Sequence, residues 1–160
     1  MTKSSKGFSL IELLIVVAII LIIAAIAIPN LLRSRIAANQ ASAVGSLRTL
    51  NTAEITYSST FHVGFSSTMT DLGPGAAGAN PTSTAAGLID SVLSTGAKSG
   101  YDFAYTAGSA DSSGRINTYS FTAIPITSST GTNYYFTDQS GVIRQNSTTT
   151  AAATDSPIAG

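Results

Sequence analysis

A long apolar run near the start of the chain limits the possible folds more than any other feature of the sequence. Residues 8–28 are apolar except for Ser9 and Glu12. A helix of that length rises about 1.5 Å per residue and covers roughly the 30 Å hydrocarbon core of a bilayer. The run therefore predicts a membrane-spanning helix in which Glu12 is the one charged side chain.

Pro29 follows the apolar run directly. Because proline has no backbone N–H, it removes the helical hydrogen bond to the carbonyl of Ala25, which predicts a kink or break in the helix. Helical spacing of apolar residues continues over 30–60 and indicates an amphipathic helix that leaves the membrane. Its predicted apolar face holds Ile36, Ala43, Leu47, Leu50 and Tyr57, and its predicted polar positions are Arg33, Asn39, Gln40, Arg48 and Asn51.

Residues 61–145 predict a globular head built on a small antiparallel sheet. Alternating aromatic residues in YDFAYT, 101–106, and TYSFTA, 118–123, are typical of half-buried strands. The segment NYYFTDQSGVIRQ, 133–145, predicts a hairpin. Packing this sheet on the amphipathic helix buries both apolar faces, so the predicted class is α+β. Residues 146–160 are rich in Ser, Thr and Ala and predict a flexible tail.

The composition argues against several classes of function. The chain has no cysteine and one histidine, His62, so thiol chemistry is excluded and no catalytic triad is indicated. Asp111, Asp138 and Asp155 lack the spacing of a calcium loop, so we expect no metal and no cofactor. Basic residues form no cluster beyond Arg35, which argues against specific nucleic-acid binding. We therefore expect a protein that is not an enzyme.

Two ordinary interpretations explain only part of the apolar run. A secretory signal peptide would use Ala25-Ile26-Ala27 as its cleavage site, but the run is long and an acid interrupts its start. A plain membrane anchor explains the length but not Glu12, because a carboxylate near mid-bilayer costs roughly 2.5–3.5 kcal/mol on insertion scales. Glu12 needs an explanation of its own.

The segment KGFSLIELL, residues 6–14, closely resembles the cleavage and methylation signal of type IV pilins and of the pseudopilins of type II secretion systems. The resemblance covers Lys6 to Pro29, with a basic leader, Gly-Phe, a glutamate in the fifth position after the cut, an apolar helix and a proline. It implies that a membrane prepilin peptidase cuts between Gly7 and Phe8 on the cytoplasmic side. The same enzyme would then N-methylate Phe8.

The resemblance also implies which side of the membrane each end of the run occupies. Residues 1–7 would be a leader peptide that is removed, with Lys3 and Lys6 holding it in the cytoplasm by the positive-inside rule. Arg33 and Arg35 follow the run on its other side and weaken that charge asymmetry. The orientation therefore depends partly on the resemblance.

For Glu12 the resemblance implies a role in assembly. In the family, the corresponding glutamate pairs with the methylated amine of a neighbouring subunit, here the amine of Phe8, and sets the register of a helical homopolymer. A positive partner makes a buried carboxylate tolerable. Residues 8–29 would form the membrane helix and later the filament core, with the helix locally broken at Pro29. The implied partners are the prepilin peptidase, the inner-membrane assembly platform and its ATPase.

Two functions stay open within the resemblance. One is a structural subunit of a type IV pilus, used for adhesion, twitching motility, DNA uptake or conduction. Such a subunit would lie in the bacterial inner membrane with a periplasmic head and would become extracellular on assembly. The other is a pseudopilin that acts in protein export by a type II secretion system. The lack of a calcium-loop pattern favours the pilus.

Overall fold

The computed structural model describes residues 7–158. One long helix, α1, covers Leu10–Phe61. A 3-10 helix at Met69–Leu72 and a short helix, α2, at Ser91–Ser94 follow it. The five strands are β1 at Ala97–Lys98, β2 at Tyr101–Ala107, β3 at Tyr119–Pro125, β4 at Tyr134–Asp138 and β5 at Arg144–Asn146. The predicted α+β class, a long N-terminal helix with a small antiparallel sheet, is confirmed.

The strands form one antiparallel sheet in chain order, β1-β2-β3-β4-β5. β2 and β3 pair along their full lengths, with Phe103 opposite Ala123. β4 and β5 form the predicted hairpin, whose turn is closed by the N–H of Gly141 donating to the carbonyl of Asp138 at 2.9 Å. Because every connection is local, each strand lies beside its neighbour in the sequence.

Aromatic side chains at alternating strand positions fill the core of the head, as the sequence pattern predicts. Helix α1 contributes its residues at helical spacing, and the predicted apolar positions from Ala43 to Tyr57 are buried. The chain divides into two compact units between Arg35 and Ile36. The buried core includes Ala43, Leu47, Leu50, Tyr57, Leu72, Leu93, Tyr101, Phe103, Tyr119 and Phe121.

Helix α1 is continuous through Pro29. The helix break predicted at this position is therefore not seen in the single chain. A proline removes one backbone hydrogen bond, and the hydrogen bonds of the turns on either side are enough to keep the residues helical. A local break within a filament stays a prediction.

The C-terminal segment differs from the predicted flexible tail. The N–H of Ile158 donates to the carbonyl of Ile143, and the side chain of Ala151 is buried. The Asp155 carboxylate accepts hydrogen bonds from the N–H of Ala152 at 2.8 Å and from the side-chain amide of Asn146 at 3.0 Å. Asp155 is thus one of several groups that tie down a segment whose composition predicts disorder.

Candidate functional site at the N-terminal half of the long helix

From Leu10 to Ile28, helix α1 presents an apolar surface in which Glu12 is the one charged side chain. Helix α1 is long and apolar enough to cross a membrane, and none of its most apolar stretch is buried within the protein. Soluble monomers rarely expose contiguous apolar patches of this extent, so the surface indicates contact with lipid or with other copies of the chain. Its exposed large side chains include Phe8, Leu10, Ile11, Leu14, Ile19, Leu21, Ile26, Ile28 and Leu31.

Glu12 lies in the first turn of α1 and closes that turn on itself. Its Oε2 accepts a hydrogen bond from the N–H of Ser9 at 2.9 Å, while the N–H of Leu13 donates to the carbonyl of Ser9 at 3.2 Å. This is one half of a capping box, in which an acid at the third helical position satisfies the N–H of the capping residue. The spacing Ser9-x-x-Glu12 could have indicated it from the sequence. An acid in the first turn also suits the helix dipole.

Gly7 and Phe8 precede the first turn and are both exposed. A methyl group added at Gly7 would meet no other atom of the described chain within 4 Å. Nothing in the described fold therefore demands glycine at this position. Phe8 is 75% exposed, four residues before Glu12. Lys3 and Lys6, which we expect to orient the leader, lie outside the described residues, as does most of the predicted leader.

The carboxylates weighed as metal ligands are each engaged by their own loop. Asp111 accepts hydrogen bonds from the N–H and hydroxyl of Ser113, from the N–H of Arg115 and from the side-chain amide of Asn117, and these bonds hold its pKa well below the usual range. Asp138 accepts from the N–H of a neighbouring serine. Across residues 7–158 no three potential metal ligands come together.

His62 and the nearby aromatic residues lie around the C-terminal end of α1. His62 is exposed and has a left-handed backbone conformation at φ 58°. Tyr57 is buried and its ring lies 5.0 Å from that of Phe61, while Phe65 packs edge-on to Tyr119 at 4.7 Å. These rings belong to the core of the head or lie against it, which agrees with packing as their role.

Two buried polar groups on the C-terminal half of α1 were missed by sequence reasoning. Glu54 has no exposed surface, and its carboxylate accepts hydrogen bonds from the N–H of Ser66 at 2.9 Å and from the hydroxyl of Ser66 at 2.6 Å. Tyr105 donates to the carbonyl of Ser66 at 2.6 Å. Burial raises the pKa of Glu54 above its ordinary value, because desolvation outweighs the hydrogen bonds from Ser66.

Asn51, predicted on the polar side of α1, is also buried. Its side-chain amide donates to the hydroxyl of Thr137 at 2.8 Å, and its carbonyl oxygen accepts from the hydroxyl of Tyr119 at 3.1 Å. The same environment raises the pKa of Tyr119, first through burial and then through the nearby charge of Glu54. Thus α1 is bound to the head by satisfied polar groups as well as by apolar contacts.

Comparisons with known proteins point to the N-terminal segment. The family model described as the prokaryotic N-terminal methylation motif matches residues 2–28. The type IV wide pilus major component PilA4 of Thermus thermophilus is 65% identical over 37 residues, which are 23% of this chain and 28% of the relative. The type IV major pilin protein PilA of Myxococcus xanthus is 52% identical over 50 residues, or 31% of this chain and 23% of the relative.

These similarities are local. The chain spans about a quarter of the length of the curated relatives it matches. No solved structure matches the chain significantly. The similarity confirms the resemblance that the segment from Lys6 to Pro29 carries, and the matched residues include Gly7, Phe8 and Glu12.

Proposed function

We propose that this chain, whose N-terminal segment is that of the type IV pilin family, is a structural subunit of a type IV pilus filament. The observation that carries the proposal is the coincidence of two features in one segment. Residues 2–28 match the N-terminal methylation motif, and the large apolar side chains of α1 in the same range are exposed. In a pilus subunit the motif would direct processing, and the exposed apolar side chains would be buried first in lipid and then among copies of the chain.

Processing would create the charge that Glu12 requires. A peptidase that cuts between Gly7 and Phe8 leaves a methylated amine on Phe8, about one helical turn from Glu12. Of the two carboxylate oxygens of Glu12, Oε2 accepts a hydrogen bond from the N–H of Ser9, and Oε1 accepts none within residues 7–158. The cap on Ser9 and a pair with the amine of a neighbouring subunit can therefore exist together. In an apolar bundle such a pair sets the stagger between subunits, because a shifted register leaves both charges without partners.

The membrane stage follows from the same surface. Before assembly the apolar half of α1 would lie in the bacterial inner membrane with the head in the periplasm, and the assembled filament would be extracellular. The partners at this stage would be the prepilin peptidase, the assembly platform and the ATPase that drives it. Both relatives named above are pilus components, so we favour a pilus over a secretion pseudopilin. Adhesion, twitching motility, DNA uptake and conduction are the activities open to such a filament.

Mass spectrometry of purified surface filaments tests the proposal. We expect a mature chain that begins at Phe8 and carries one N-methyl group. A chain that begins at Met1, or at Ile28 as signal peptidase would leave it, contradicts the proposal. Deletion of the gene separates the two family functions, because loss of surface filaments indicates a pilus, while retained filaments with loss of protein export indicate a pseudopilin.

A further inference from the structure

Arg33 and Arg35 form a pair of cations that the proposed assembly does not use. They are the first charged residues after Glu12, and no acid occurs between Glu12 and Glu54. Both side chains are exposed, and within residues 7–158 neither forms an ion pair. Glu54 offers no partner, because it is fully buried against Ser66. The chain thus presents two unpaired guanidinium groups directly after its apolar surface.

The position of the pair along α1 corresponds to a definite depth in a bilayer. If residues 8–28 cross the hydrocarbon core, Arg33 and Arg35 lie roughly 8 Å and 10 Å beyond Ile28 at about 1.5 Å per residue. The headgroup layer on one side of a bilayer is roughly 5–8 Å thick. Arginine side chains extend along the helix toward the interface, so both guanidinium groups reach the lipid phosphates.

The placement of the two side chains around the helix also suits lipid. Residues two apart in a helix do not face each other, so Arg33 and Arg35 point to different sides of α1. A single acidic residue on another protein would meet one of them, whereas headgroups surround the helix and meet both. A guanidinium group binds phosphate oxygens through two parallel hydrogen bonds, which a lysine does not do.

We infer that Arg33 and Arg35 are a binding site for the phosphate groups of anionic phospholipids in the membrane leaflet on the side of the head. The inference rests on the membrane stage of the proposed function. It also explains cations at a position where they oppose the positive-inside rule, since the lipid contact offsets the unfavourable charge placement. The unassembled subunit is thereby held at a fixed depth, and entry into a filament requires release of these lipids.

The test uses the full chain in vesicles of phosphatidylcholine and phosphatidylglycerol in equal parts. Spin-labelled analogues of the two lipids measure their relative association with the protein. Lys3→Gln and Lys6→Gln are present in every sample, so that cations at the other end of the run do not contribute. We expect a preference for phosphatidylglycerol that falls by up to roughly fivefold for each arginine replaced in Arg33→Gln and Arg35→Gln, and that weakens with added salt.

Arg48→Gln is the matched control, because Arg48 is an exposed arginine of α1 in the second compact unit. It should leave the lipid preference unchanged. An unchanged preference in the Arg33→Gln and Arg35→Gln double variant overturns the inference. The inference is also overturned if the double variant keeps its lipid association but shows reduced cross-linking between copies. That result would assign the arginines to an acidic partner on a second subunit. A chain that an alkaline carbonate wash removes from the vesicles contradicts the membrane stage itself.

Discussion

The two halves of α1 have opposite environments although they belong to one continuous helix. Large apolar side chains of the first half are exposed, while the second half buries the apolar residues of one face, including Leu47, Leu50 and Tyr57, and also the polar residues Asn51 and Glu54. The buried side chains of Asn51 and Glu54 have hydrogen-bond partners in the head. Within residues 7–158 the one acid of the first half, Glu12, accepts a hydrogen bond only from Ser9 in its own turn. The second half thus packs within this chain, and the apolar surface of the first half is left exposed by it.

The strongest test of this difference is replacement of Glu12. We expect Glu12→Ala to abolish filaments, because the amine of Phe8 would enter an apolar bundle unpaired and breaking one side of a buried pair costs about 3–5 kcal/mol. Membrane insertion and cleavage after Gly7 should continue, since removal of a charge from an apolar helix lowers its insertion cost. Electron microscopy and immunoblots of membrane fractions measure the two outcomes.

Glu12→Gln separates charge pairing from helix capping. Glutamine keeps an oxygen that accepts the N–H of Ser9 but carries no charge. Loss of filaments in both variants supports pairing, whereas normal filaments in Glu12→Gln would assign Glu12 to the cap alone. Abundant filaments in Glu12→Ala would contradict both roles.

Two leucine-to-alanine substitutions, one in each half of α1, compare how much the two halves contribute to the stability of the head in a single subunit. Leu47 has no exposed surface and Leu21 is 63% exposed. We expect Leu47→Ala to lower the free energy of unfolding of the head by about 2–5 kcal/mol, because it leaves a cavity in the core. Leu21→Ala should leave it unchanged. Urea unfolding in detergent, followed by the near-ultraviolet circular dichroism of the tyrosines, measures both values, and equal effects would contradict the division of α1.

Glu54 tests whether the buried polar groups of the second half stabilise the head. Glu54→Ala leaves the N–H and the hydroxyl of Ser66 without their acceptors, at about 1–3 kcal/mol for an unsatisfied donor. Glu54→Gln keeps one acceptor for the N–H and offers a donor to the hydroxyl, so we expect a smaller loss. Equal destabilisation by the two substitutions would indicate that packing rather than hydrogen bonding matters at this site.

The pH dependence of the same variants has a definite sign. The pKa of Glu54 is raised in the folded head above its ordinary value of 4.5, so the folded state binds the proton more tightly than the unfolded state. The contribution of Glu54 to stability is therefore present below pH 4.5 and is lost as the pH rises through the raised folded value. Glu54→Gln should remove this loss, and the difference from the native chain, measured by unfolding at a series of pH values, isolates it from other groups.

Most of the fold could be predicted because its signals are local. The alternation of Tyr101, Phe103 and Tyr105 fixes one face of β2, and the turn from Asp138 to Gly141 fixes a hairpin. The tail could not be predicted, because its contacts are made by single polar groups, such as the Asp155 carboxylate that accepts from Asn146 across a segment of low complexity. The composition of a segment shows how little apolar surface it can bury, but it does not show which hydrogen bonds a particular carboxylate will accept.

The burial of Glu54 could have been predicted from its spacing in the helix, although its polarity argues against burial. Glu54 follows Leu50 by four residues and precedes Tyr57 by three, so the helical period alone places it on the buried face. Its partner could not be read from the sequence, because Ser66 reaches it only after the chain turns back at Gly64. That turn requires glycine, since φ is 88° and an added side chain would collide with the backbone of Ile116.

The smallest expected effect on the stability of the head belongs to the deletion of residues 1–28. Removal of residues 1–28 takes away most of the exposed apolar surface and none of the buried core. We therefore expect the remaining chain to stay monomeric without detergent. The free energy of unfolding of its head should lie within about 0.5 kcal/mol of the value for the full chain, as for changes at surface sites. Size-exclusion chromatography and urea unfolding measure these two properties.

Matched deletion up to Leu47 provides the control, because it removes core residues and should prevent folding. A head that loses its near-ultraviolet signal after the shorter deletion would show that the first half of α1 supports the core, and the two halves could then no longer be treated as independent.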